Sequence, residues 1–393
     1  MAARRVYADN AGTTALSKTA LDAMMPYLTE KFGNPSAIYS LGREAKKGLE
    51  AARAKVAAAI GTKPEEVYFT GSGTEADNWA IRGAAEIKSK NGKHIISSCI
   101  EHHAVSNTLG YLEKQGYEVT YLPVDNLGRV SVSDLRNAIR DDTILITIMM
   151  ANNEIGTIQP IKELGAVARE KGILFHTDAI QAAGHIPIDV NSMNIDLMSI
   201  AGHKFRGPKG VGALYIKKGN YIPPLLYGGG QESKRRSSTE NVAGAVGMAA
   251  ALEEAVSNMS ANIEKITAMR DRLIREILKI PFSHLTGDPV NRLPGTASFV
   301  FECVEGEAMI LLLDNAGICA SSGSACSSAS LDPSHVLLAI GLKHEVAHGS
   351  LRLSINETTT DEDIDYIIET LPPIIQKLRS MSPLWEDKMS GKV

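Results

Sequence analysis

The chain has 393 residues, 44% hydrophobic and 22% charged, with 41 lysines and arginines against 45 acidic residues and a net charge of -4. This balance excludes a disordered or fibrous chain and leaves no electrostatic footprint for nucleic acid or an anionic membrane. The longest apolar stretch, 143–151, falls well short of the roughly 20 residues a membrane helix needs, and a single core stops growing at about 250–300 residues, so a large and a smaller domain are expected.

In chain order, the first ten residues carry no apolar run after Arg4-Arg5, so no secretory signal is expected. An alanine-rich helix is predicted over 43–60, ended by Gly61. A strand over 66–70 leads into the turn Gly71-Ser72-Gly73, and a helix opens at Thr74. Strands at 93–99, 118–122, 143–150, 173–176, 196–201 and 212–216 alternate with helices at 105–114, 133–139 and 161–171. That alternation is the pattern of a mostly parallel sheet with helices on both faces, an α/β fold. A charged helical segment over 257–280 ends at Pro281; strands at 296–301 and 350–355 and helices at 305–316 and 361–380 then form a smaller α/β layer. The expected division is a large domain of residues 15–257 and a small one made of 1–14 and 258–393. The small polar residues of 320–330 predict a mobile loop. Four cysteines, Cys99, Cys303, Cys319 and Cys326, lack any C-x-x-C spacing, so neither a disulfide framework nor a resident metal is expected, and a reducing cytoplasm is the natural setting.

Ligands of open α/β sheets bind beyond the carboxyl ends of the strands. The residues found there are Gly71 to Glu75, Glu101-His102-His103, Asn152-Asn153-Glu154, Thr177 to Gln181, and Gly202-His203-Lys204. Each has a plain structural reading. Asp178 could cap a helix, and Thr74-Glu75-Ala76-Asp77 has capping-box spacing. His102-His103 lacks the i, i+4 spacing of helical metal ligands. Lys204 gains interest from its place after an apolar strand, where partial burial favours the neutral amine. Together they meet the needs of pyridoxal phosphate (PLP): a Schiff-base lysine (Lys204), a carboxylate for the ring nitrogen (Asp178), an anion nest (Gly71 to Thr74) and a ring partner (His102).

The segments Tyr7 to Thr14, Gly33-Asn34-Pro35-Ser36, Thr70 to Asn78, Ile100 to His103, Asn152 to Gly156, Thr177 to Gln181, Gly202 to Lys204, Gly207 to Gly212 and Ser321 to Cys326 resemble those of NifS/IscS-type cysteine desulfurases, in the class V aminotransferase group of fold-type I PLP enzymes. The likeness runs in order from about residue 5 to residue 370. It implies that Lys204 carries PLP, Asp178 pairs with the pyridine nitrogen, Gln181 contacts the ring oxygen and His102 stacks on the ring and exchanges protons. It further implies that Gly73, Thr74 and His203 bind the phosphate, joined by Thr239 of the other subunit of a homodimer, and that Asn153 and Arg352 hold the carboxylate of L-cysteine. Ala201 stands where the family usually has a phosphate-binding serine, Ser238 and Tyr39 replace a common glycine and histidine, and Asn356-Glu357 stands where a basic residue is frequent.

The implied reaction converts L-cysteine to L-alanine and leaves the sulfur on Cys326 as a persulfide. Cys326 is flanked by small polar residues, whereas Cys99, Cys303 and Cys319 lie in or beside apolar strands, where a thiol is usually inert. The persulfide would pass to an iron-sulfur scaffold protein or another acceptor, and Cys326 could ligate a nascent cluster transiently. The alternatives are a selenocysteine lyase, a class V aminotransferase, or a sulfur carrier without catalysis.

Overall fold

The computed structural model describes residues 4–323 and 333–391. Its strands are β1 (Val6–Tyr7), β2 (Val67–Thr70), β3 (His94–Ser98), β4 (Glu118–Leu122), β5 (Thr143–Thr147), β6 (Leu174–Asp178), β7 (Leu197–Ala201), β8 (Gly212–Ile216), β9 (Ser283–Leu285), β10 (Thr296–Phe301), β11 (Ile318–Cys319) and β12 (Ser350–Ser354). The central sheet has the order β2-β8-β7-β6-β5-β3-β4. It is parallel except for β8, which runs antiparallel to both neighbours. Strands β3, β5, β6 and β7 are buried at every residue, as expected where helices cover both faces. His94 inside β3 is paired, bonding Thr143 Oγ1 and Thr120 Oγ1, both at 2.7 Å, whereas the Ser97 and Thr177 hydroxyls are buried with no partner among the described residues.

Helices α1 (Lys18–Thr29), α2 (Ser40–Ala59), α5 (Val132–Ala138), α6 (Ile161–Lys171) and Val242–Ser257 pack on one face of this sheet. Helices α3 (Gly73–Lys88) and α4 (His103–Glu113) pack on the other, around Trp79, Val105 and Leu109. A second sheet, β12-β10-β9, is antiparallel and shares its own core with Met259–Ile277, Gly306–Asn315 and Asp361–Ser380. Strand β1 pairs in parallel with β11 beside this smaller core.

Besides short elements absent from the sequence expectation, among them β1, β9, β11 and Pro383–Met389, two long helices differ from it. The segment expected as one helix over 257–280 is the second of two helices that meet at Asn258. The first, Val242–Ser257, is alanine-rich and buried on most of its surface, so it shows little of the period by which a surface helix is recognised. Helix α1 is also absent from the sequence expectation; Pro26 lies inside it, and an internal proline argues against a helix. Among the described residues no helix is long and apolar enough to cross a membrane.

Strand β2 lies at the edge of the central sheet, and an edge leaves backbone groups unpaired. Arg53 donates to Val67 O at 2.8 Å, and Phe69 N donates to Glu232 Oε2 at 2.9 Å. The two side chains pair with each other at 2.7 and 2.9 Å, nearly out of reach of water. Glu232→Ala would leave the Phe69 amide without its acceptor and Arg53 with only Val67 O and two longer contacts to Glu50 at 3.4 Å. Denaturant unfolding should therefore show a loss of about 3–5 kcal/mol, and a loss within experimental error would mean that the edge is held by other contacts.

Candidate active site

The carboxyl ends of five central strands converge on a cavity of about 260 Å³. Its lining includes Gly73, Thr74, His102, Asn153, Asp178, Gln181, Ala201, His203, Lys204 and Arg352, so the fold brings together ten of the expected site residues. Thr239 is exposed and does not reach this cavity within one chain. Cys326 and most of the expected loop lie outside the described residues.

The nest begins where β2 turns into α3. Ser72, not Thr74, is the N-cap: its hydroxyl accepts from Glu75 N at 3.1 Å, which corrects the capping box expected at Thr74. The helix therefore starts one residue earlier, and the first amides of α3, at Gly73 and Thr74, have no acceptor within the helix. A Cβ on Gly73 would come 2.2 Å from Ile180 Cδ1 and 3.2 Å from Ala201 Cβ, so only glycine fits this approach. Ala201 thus borders the nest and offers it no hydroxyl. An anion fits here by the geometry of a helix N-terminus.

His203 and Lys204 follow β7 in a single turn of 3-10 helix. His203 Nδ1 meets Thr13 Oγ1 at 3.1 Å, and Lys204 Nζ donates to Ala11 O at 2.6 Å and Gly12 O at 2.8 Å. Gln181 Nε2 donates to the same Ala11 carbonyl at 2.9 Å. Burial, then the nearby Lys204 charge, lowers His203 to about 4. His102 is lowered to about 4 by burial first and by Lys204, His103 and His335 after it. Its Nδ1 accepts from Ala104 N at 3.1 Å, capping α4, which assigns the ring proton to Nε2. At neutral pH this residue is an uncharged ring with one N-H.

Asp178 ends β6 and does not cap a helix; its Oδ1 accepts from Ile180 N at 2.9 Å. Burial raises it to about 6, opposed by the Ile180 amide and the Lys204 charge, which favour its anion. At the opposite side, Arg352 donates to Asn153 O and to Asp9 Oδ1, both at 2.8 Å. Its Nε is buried with no partner among the described residues, a donor set ready for an incoming carboxylate. Glu154 bonds Ser334, and burial raises it to about 7 against the pull of Ser334 and Arg352.

Sequence reading assigns no role to Asp9, His335 or the backbone of Ala11 and Gly12, and places Glu154 at a strand end without its partner Ser334. The Tyr7 to Thr14 motif is the available signal, but nothing local ties it to Lys204. The other cysteines, Cys99, Cys303 and Cys319, are all half-buried and not in the core, and burial raises the Cys99 thiol. Cys99, Cys303 and Cys319 are all absent from the lining of the cavity.

Glu101, directly before His102, is fully buried and raised to about 8, mainly by desolvation. Between its ordinary value of 4.5 and about 8, the folded chain holds a proton that the unfolded chain releases. This group's contribution to stability therefore falls as pH rises through that window. In the protein without cofactor, Glu101→Gln should flatten the decline of Tm across the window; an equally steep decline would show that Glu101 is already ionised.

The chain matches the family model Aminotransferase class-V over residues 6–367. It is 58% identical over 381 residues to cysteine desulfurase IscS of Methanosarcina thermophila, covering 97% of this chain and 94% of that one. Identity to cysteine desulfurase IscS of Clostridium botulinum strain Hall is 55% over 392 residues, 99% of each chain. A solved structure titled NifS-like protein superposes with a TM-score of 0.90 at 38% identity, covering 95% of this chain and all of that one. With this fold and these residues at its strand ends, the chain belongs to the class-V aminotransferase family, among its cysteine desulfurases.

Proposed function

We propose that the protein is a PLP-dependent cysteine desulfurase that takes sulfur from L-cysteine onto Cys326 and releases L-alanine. The observation that carries this reading is the meeting of Lys204, Asp178 and the Gly73 nest in one cavity. The residues fit the cofactor. The α3 amides, Thr74 and His203 hold its phosphate, Asp178 faces its ring nitrogen, Gln181 its ring oxygen, and the uncharged His102 covers its ring. Residues 15–257 act as the cofactor domain, and 1–14 with 258–393 as the small domain.

When bound, PLP supplies an electron sink for the bond changes at the amino acid's Cα. Lys204 would hold the cofactor through its amine, and the same amine is the base that would carry the substrate Cα proton. Arg352, kept in place by Asp9 and the Asn153 carbonyl, grips the substrate carboxylate with Asn153 beside it. His102 moves a proton at Nε2. The Cys326 thiolate attacks the substrate sulfur; the new S-S bond forms as the Cβ-S bond breaks, and Cβ gains a proton to give alanine. In a homodimer, Thr239 of each subunit completes the other's phosphate site. The persulfide passes to an iron-sulfur scaffold or a comparable thiol acceptor.

Lys204→Ala should abolish both the visible absorption of bound PLP and alanine production, whereas Cys326→Ala should keep the absorption and lose sulfur transfer. Normal alanine formation from cysteine by Cys326→Ala would favour a lyase that does not use this thiol, whereas a keto acid in place of alanine would mark an aminotransferase. Ala201→Ser would add a donor at the nest. It should tighten PLP binding by about 1 kcal/mol, or roughly fivefold; an unchanged Kd in a cofactor titration would place the phosphate away from Ala201.

A further inference from the structure

Helix α3 carries an acid that the proposed chemistry leaves unused. Asp77 lies one turn beyond the phosphate nest, on the face that packs against the central sheet, and its side chain is fully buried. Neither carboxyl oxygen has a hydrogen-bond partner among the described residues; the Ser199 hydroxyl is near enough to ease the burial without bonding geometry. A buried carboxylate left so poorly paired would be costly, and such a group keeps its proton instead.

The nearest base does not remove that proton. His176 Nε2 is 3.7 Å from Asp77 Oδ1. Both ring nitrogens of His176 are engaged, Nδ1 with Thr147 Oγ1 at 2.8 Å and Nε2 with Ser199 Oγ at 3.0 Å. Burial lowers this histidine to about 3, so the contact with Asp77 is not an ion pair.

Asp77 is one of three buried acids that feel one another's charge, the others being Asp178 and Glu101. Glu101 Oε1 accepts from Ser98 and from Met149 N, and its Oε2 has no partner among the described residues. Only Asp178 has a cation, Lys204, favouring its anion. Asp178 therefore ionises first, and its charge then opposes ionisation of the other two. The register places Asp178 beside Ser199, whose hydroxyl also lies beside Asp77, so Asp77 stands behind the strand end that lines the cavity.

We propose that Asp77 is a positioning residue for the cofactor: a protonated carboxyl behind Asp178 that keeps the cluster's single negative charge on Asp178, where the ring nitrogen is bound. The inference rests on the reading that Asp178 faces that nitrogen. A neutral acid stabilises the adjacent anion through its dipole, while an ionised Asp77 would repel it. Leucine in the same space would do neither.

The test compares holoenzymes of the wild type, Asp77→Asn, Asp77→Leu and Asp178→Asn. Three readouts apply: infrared difference spectra, the pH titration of the cofactor's visible absorption, and nitrogen NMR of ring-labelled PLP. Subtracting Asp77→Asn from the wild type at neutral pH should reveal a protonated-carboxyl C=O band. Asp77→Asn, still neutral and of the same shape, should keep the ring nitrogen protonated and the titration midpoint unchanged. Asp77→Leu should shift that midpoint by about one pH unit. A carboxylate band in the difference spectrum, or a ring nitrogen that loses its proton in Asp77→Asn, would overturn the proposal, as would wild-type titration by Asp77→Leu. If the leucine variant does not fold, the infrared and asparagine results still decide. Asp178→Asn should deprotonate the ring nitrogen; an unaltered nitrogen there would overturn the parent reading along with this one.

Discussion

The site is organised around a negative charge kept under cover at the end of β6. Desolvation opposes that charge, and only Lys204 and the Ile180 amide favour it. The same burial strips charge from the imidazoles around it: His102, His176 and His203 are all held neutral at physiological pH. The result is a sparse pattern, with Asp178 and Lys204 at the centre of the cavity and the Arg352 guanidinium on its far side. In a low-dielectric setting such a pattern acts strongly, since few other charges dilute it.

The fold serves this pattern by strand direction. Four parallel strands, β3, β5, β6 and β7, deliver His102, Asn153, Asp178 and the Gly202–Lys204 turn to one end of the sheet. Strand β2 runs the same way and delivers the α3 nest. Reversed β8 lies between β2 and β7, so the ends of its two neighbours meet across it. The Gly73 backbone and Ala201 are brought into contact by that arrangement.

Much of this can be read from the residues because each contributor sits directly after an apolar strand, where a local pattern marks both the strand and the residues at its carboxyl end. Lys204, Asp178 and His102 are visible for that reason. The pairings of Asp9 and Glu154 are not, because their partners Arg352 and Ser334 lie 343 and 180 residues away and no local period links such segments. The α3 cap is misplaced by sequence because Ser72 and Thr74 both offer a hydroxyl, and the choice depends on where the chain leaves β2. Helix Val242–Ser257 escapes notice because a helix buried on most of its surface loses the contrast between faces that pattern reading needs.

The N-terminal strap ties the two layers together. Ser354 of β12 donates its backbone N-H to Ala8 O at 2.7 Å, and its hydroxyl oxygen accepts from Ala11 N at 2.8 Å. Three residues later Thr14 is anchored to His203 O at 2.8 Å. Between those anchors lie the carbonyls of Ala11 and Gly12 that receive the Lys204 amine. Any rotation of the smaller layer would therefore tug directly on the lysine, a mechanical linkage through which events at the small sheet register at the Lys204 amine without passing through the central sheet.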